Sequence, residues 1–97
     1  MRYKILPYSY SQAKKINVEI KPSTLRGKKI DVYKKGSKVA SIGAAGMKDY
    51  PTYLMLEKKG VYPKGHAAKR RKLYKIRHNE HRKIVGTNSY YADKLLW

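Results

Sequence analysis

A chain of 97 residues that sets 24 lysines and arginines against six acids carries a formal net charge of +18, and few folds tolerate that. Self-repulsion opposes any compact state unless anions answer the field, so the cations must sit on a surface over a thin core. Nucleic acid is the most abundant polyanion in a cell and the first partner to consider. The cations are also clustered. The run 64–83 (KGHAAKRRKLYKIRHNEHRK) holds nine lysines and arginines and one acid, Glu80. Clustering on one element is the footprint of a phosphate-binding surface rather than of general solubility. An acidic protein or membrane surface would satisfy the same charge.

Length allows one domain, near the lower end of what holds a core unaided. The chain has no cysteine, which removes disulfides and thiolate metal sites. It has no apolar run of about 18 residues and no signal-peptide pattern, so neither membrane insertion nor secretion is expected. Ten tyrosines and one tryptophan occur without a phenylalanine. Tyrosine buries its ring while its hydroxyl stays wet, which suits a thin core under a polar surface.

The first half reads as strand-rich. Residues 2–6 alternate polar and apolar up to Pro7, as a short strand or extended arm does. Ser9 to Gln12 matches a capping box, predicting a helix of about two turns with Ala13 and Ile16 on one face. Ile16, Val18 and Ile20 alternate, so a strand ending at Pro22 follows at once. The clearest local signal lies at 29–33 and 38–42, two period-two runs joined by Lys34-Lys35-Gly36-Ser37. With glycine where positive φ is needed, this is a β-hairpin, with a bulge. Gly43 to Gly46 read as a flexible exit from it.

The second half reads as helical. Asp49 can cap a helix with Pro51 in its first turn, stopped by Gly60. Pro63 and Gly65 separate it from a basic helix over His66–Lys83. Asn88 or Ser89 can cap a last short helix, whose apolar end (Leu95, Leu96, Trp97) should be docked. On a helical wheel, Lys69, Leu73, Ile76 and Glu80 share one stripe, with Leu73 and Ile76 as anchors to the core. Arg70, Tyr74, Arg77 and His81 flank it. Arg71, Lys72, Lys75, Asn79 and Arg82 take the far side. A narrow buried seam under a broad cationic face is thus expected. The candidate nucleic-acid contacts are Lys69, Arg70, Arg71, Lys72, Lys75, Arg77, Arg82 and Lys83, assisted by Lys34, Lys35 and Lys38 around the hairpin turn. Arg71, Lys75 and Arg82 suit backbone phosphates, and Asn79 a base edge.

Catalysis finds no support. His78 and His81 stand three apart, but no cysteine or acid pair offers a further ligand, and surrounding positive charge opposes a divalent cation. The acids at 19, 31, 49, 57, 80 and 93 are scattered singly. No nucleophile–base–orienter set emerges, so neither an enzyme nor a cofactor is expected.

Three stretches, behind a basic hairpin, carry a resemblance: 48–53 (KDYPTY), 69–78 (KRRKLYKIRH) and 90–97 (YYADKLLW). In this order the chain resembles, from about Ser9 to Trp97, short basic proteins of unassigned function encoded by large double-stranded DNA viruses. The resemblance implies a viral setting, the virion or an intracellular site of virus replication. It adds a second class of function, a minor capsid, cement or inner-shell protein docked on acidic capsid surfaces.

The expected architecture is a single α+β domain, a small antiparallel sheet built on the hairpin and packed by two or three helices, chiefly 50–59 and 66–83. The expected function is nucleic-acid binding, DNA ahead of RNA, through a cationic helix and without catalysis.

Overall fold

The two alternating runs become the middle of the fold. A computed structural model describes residues 3–97. Strands β1 (Glu19–Pro22), β2 (Lys28–Lys34) and β3 (Ser37–Ala44) form an antiparallel sheet in that order. The register sets Ile20 and Ala40 against Val32, and Ile30 against Ile42. Period two therefore puts these five side chains on one face, where all are buried. Lys35 and Gly36 turn the hairpin at φ of +52° and +82°. Two positive φ angles match the sheet's twist, as a two-residue turn requires. The register slips between Val32 and Tyr33, which is the expected bulge.

Helices α1 (Pro7–Lys15) and α4 (Asn88–Leu96) close this face. Ala13, Tyr91, Leu95 and Leu96 join the sheet residues and Ile5 in one apolar cluster. Helices α2 (Tyr50–Lys58) and α3 (His66–Arg77) pack mainly against each other, around buried Tyr53 and Ala67. The α+β class stands with four helices, but the two expected to cover the sheet form a separate layer.

The capping box does not cap its own helix. α1 begins at Pro7, whose missing N–H costs nothing in a first turn. Ser9 Oγ donates instead to Leu95 O (2.7 Å), Gln12 Nε2 to Lys94 O (3.3 Å) and Tyr8 OH to Trp97 O (3.4 Å). The last carbonyls of a helix have no partner within it, and α1 supplies these to α4. Asn17, at φ +60°, separates α1 from β1, so Ile16 and Val18 precede the strand rather than form it. Of the first alternating run, Arg2 lies outside the described residues. Residues 3–6 join no strand, although Ile5 is buried in the core.

The second half keeps most of its punctuation. Asp49 Oδ1 accepts from Thr52 N (3.0 Å), Pro51 sits in the first turn of α2, and Gly60 follows its end at φ +82°. Thr87, not Asn88 or Ser89, caps α4, its Oγ1 accepting from Tyr90 N (3.1 Å). α3 ends at Arg77 rather than Lys83; beyond it the chain turns, and Arg82 folds back and donates from Nε to Lys75 O (3.3 Å). Gly43 is no flexible exit. It lies in β3, where a Cβ would come within 2.9 Å of Leu96 Cδ1 and 3.0 Å of Lys29 Cβ.

Candidate nucleic-acid interface

α3 is rotated from the orientation that its aliphatic residues suggest. Leu73 and Ile76 are 42% and 65% exposed, in an outer row with Lys69, Lys72 and Arg77. Ala67, Arg71, Tyr74, Lys75 and His78 face inward instead. The cause is Asp93 on α4, itself only 2% exposed. Lys75 Nζ reaches its Oδ1 at 2.5 Å, and Arg82 Nη1 lies 3.8 Å from Oδ2. Removing the partners of a buried carboxylate costs about 3–5 kcal/mol. Leaving Leu73 and Ile76 each about half exposed forfeits roughly 1.5–3 kcal/mol for the two together. The parallel stack of Tyr74 on Trp97, at 4.3 Å and 6°, adds to the preference. Electrostatics and stacking outweigh the aliphatic seam.

The candidate contacts therefore divide. Lys69, Lys72, Arg77 and Lys83 are exposed. Lys75 and Arg82 are turned to Asp93 and do not present a free cationic face. Burial holds the Lys75 ammonium below its ordinary pKa; Asp93 opposes that, while Arg71 and Arg82 reinforce it. Arg70 lies over the Tyr53 ring (5.6 Å) and Arg71 over the Tyr50 ring (4.9 Å), and Arg71 Nε is buried without a hydrogen-bond partner among the described residues.

The hairpin cations stand apart from the helix. Lys34, Lys35 and Lys38 are exposed, and Lys38 Nζ is 3.6 Å from Asp31 Oδ2. The turn lies at the end of β2 and β3 remote from Lys29, roughly 20 Å along the strand at about 3.3 Å per residue. The ends of these strands that approach α3 are those at Lys29 and Gly43.

Scattered in sequence, the acids are put to common use. Asp31, Asp49 and Asp93 are each 1–2% exposed. Burial raises the pKa of Asp31, but the Ser23 and Ser41 hydroxyls (2.6 and 2.7 Å), Lys38 and the Thr24 backbone outweigh it and hold the carboxyl below its usual range. Asp49 Oδ2 accepts from Lys29 Nζ (2.9 Å) and Tyr3 OH (2.8 Å), and Lys29 also donates to Met47 O. Glu57 is half-buried, its Oε1 accepting from Ala67 N, so Glu19 and Glu80 remain as the exposed acids.

Where the Lys29–Gly43 end of the sheet meets α2, α3 and α4 there is a cavity of about 310 Å³. Tyr53, Tyr74 and Trp97 line it, with His78 stacked on Tyr74 at 4.1 Å. Nδ1 of His78 lies 3.2 Å from Tyr74 O, a carbonyl that can only accept, so the contact calls for the proton on Nδ1. Lys48, Arg70 and Arg77 also line it, and none pairs with an acid among the described residues. This cavity went unread in the sequence. Its one trace is that Tyr74 lies within the cation-rich stretch 69–78.

Among the described residues no helix is long and apolar enough to cross a membrane, and no three His, Asp or Glu side chains gather as a metal site. Comparison with protein-family models, curated proteins and solved structures finds no match to the chain.

Proposed function

We propose that the chain is a small, non-catalytic nucleic-acid-binding protein that meets the phosphate backbone with the exposed cations of α3 and of the turn that follows it. The observation that carries this reading is the burial of Asp31, Asp49 and Asp93, which leaves a surface almost entirely of one sign. Lys69, Lys72, Arg77 and Lys83 take the role that the helical wheel gave to Arg71, Lys75 and Arg82. The resemblance to virus-encoded basic proteins supports a genome as the polyanion, with DNA ahead of RNA.

The test is titration of duplex DNA, single strands and RNA at several salt concentrations. Each neutralised phosphate contributes about −0.9 to the log–log salt slope on duplex DNA. Replacing Lys69 and Lys72 with glutamine should flatten that slope by about two, with an unchanged melting temperature because both side chains are exposed. Absence of binding at low salt overturns the proposal.

A second reading rests on a different observation. Leu73, Ile76, Ile84 and Val85 are exposed beside the same cations, at 42–75%. An apolar row edged by lysines suits an acidic protein surface, such as that of a capsid subunit. Loss of capsid retention in Leu73→Ser/Ile76→Ser, with the nucleic-acid salt slope intact, favours it.

A further inference from the structure

We infer that the cavity between the sheet end and α3 takes one unpaired nucleotide of a nucleic-acid strand, base against the Trp97 ring and phosphate on the rim. The inference rests on the nucleic-acid reading above and makes it specific for single strands or open ends.

The cavity combines two chemistries that a nucleotide also combines. Tyr74 is clamped between Trp97 (4.3 Å) and His78 (4.1 Å), so both of its faces are taken. It holds the Trp97 ring rigidly, and Trp97, which also lines the cavity, is the platform on which a base can stack without regard to sequence. Lys48, Arg70 and Arg77 stand around it without acid partners among the described residues. Arginine and lysine in this state are phosphate donors. The one acid in the wall, Asp49, has both oxygens engaged, by Lys29, Tyr3 and the Thr52 amide, and presents little free negative charge to a ligand. A volume of about 310 Å³ sits at the lower end of the ligand-pocket range of roughly 300–1,000 Å³. It matches one nucleotide and excludes a duplex. Bases inside a duplex are paired and stacked, so only an unpaired base can enter.

The exposed row on α3 and the cavity share Arg77. A strand lying along Lys69 and Lys72 is thereby led to the rim, where one base turns in. Phosphates along the row supply salt-dependent affinity. The cavity supplies the distinction between single and double strands.

Trp97 is the sole tryptophan, so its emission reports on the cavity alone. The experiment follows that emission during titration with adenosine 5′-monophosphate, a short single-stranded oligodeoxynucleotide, a dumbbell duplex without ends, and inorganic phosphate at matched ionic strength. Saturable quenching by the nucleotide and the single strand is expected, with the strand displacing the nucleotide. The dumbbell and phosphate should leave the emission unchanged. Lys48→Gln/Arg77→Gln should weaken nucleotide binding roughly tenfold. Both side chains are exposed, so the melting temperature should hold.

Silent Trp97 emission with the nucleotide and the single strand, while duplex binding still depends on Lys69 and Lys72, overturns the cavity assignment and leaves the surface reading standing. Equal quenching by phosphate overturns the base-stacking role. Quenching by the nucleotide with no binding of any nucleic-acid strand overturns the nucleic-acid reading, and this assignment with it.

Discussion

The sheet with α1 and α4 and the pair α2–α3 are two layers built by different physics. The first closes on Ile20, Ile30, Val32, Ile42, Leu95 and Leu96, an aliphatic core in which each side chain is at most 7% exposed. The second has no aliphatic centre. Tyr53 meets Tyr62, His66 and Trp97, Tyr74 is stacked with His78 and Trp97, and arginines lie over Tyr50 and Tyr53. A chain with so few acids cannot neutralise its cations in ion pairs, so here they lie over rings. Tyrosine suits such a layer better than phenylalanine, because its ring buries while its hydroxyl reaches a polar partner or water. The aliphatic layer gives rigidity, and the aromatic layer keeps its cations near a surface where anions can reach them.

The sharpest way to break this contrast is by truncation. Leu95→Ala should cost about 2–5 kcal/mol in urea unfolding, since its side chain is wholly buried. Ile76→Ala, on the exposed row of α3, should cost less than about 0.5 kcal/mol. Equal losses would restore α3 to the orientation of its aliphatic stripe.

A smaller effect is expected where the two layers are pinned together. Asp93→Asn leaves Lys75 and Arg82 without their carboxylate. The loss should be about 1–3 kcal/mol, less than stripping the sealed Asp93 of its partners would cost, because the group stranded in this variant, Lys75, is 24% exposed and can reach water. In the variant, hydrogen exchange should quicken in α3 more than in the sheet. Uniform exchange would mean that Asp93 supports the whole fold and not the junction.

The smallest effect concerns pH on the sheet side. The folded Asp31 carboxyl is held below its ordinary value, so the unfolded chain takes up its proton first as pH falls. Its contribution is complete above the ordinary aspartate pKa of about 3.9 and is lost as pH drops through the lower folded value. Asp31→Asn should therefore flatten the acid limb of the stability curve. An unchanged limb assigns acid sensitivity to other carboxyls.

Local features of the chain were legible wherever their partners are neighbours in sequence. The hairpin needed period two and a Lys35-Gly36 turn. The start of α2 needed Asp49 and Pro51, and its end needed Gly60. Each is decided within a few residues, so pattern and backbone preference suffice. Ser9 and Gln12 were misleading because their capping capacity is real but goes to the carbonyls of Lys94 and Leu95.

The sequence by itself determined the charge, the hairpin, the presence of a basic helix and the lack of enough acids to pair with its cations. Tertiary structure alone decided which side of that helix faces out. On an isolated helix Leu73 and Ile76 define the buried face, because water penalises exposed aliphatics locally. In the folded chain Asp93, 18 residues from Lys75, and Trp97, stacked on Tyr74, act on the same helix. Hydrophobic periodicity is a property of one segment. Satisfying a buried carboxylate belongs to the whole fold and carries the larger energy, so the cations at Lys75 and Arg82 turn inward while Lys69, Lys72 and Arg77 remain for a partner.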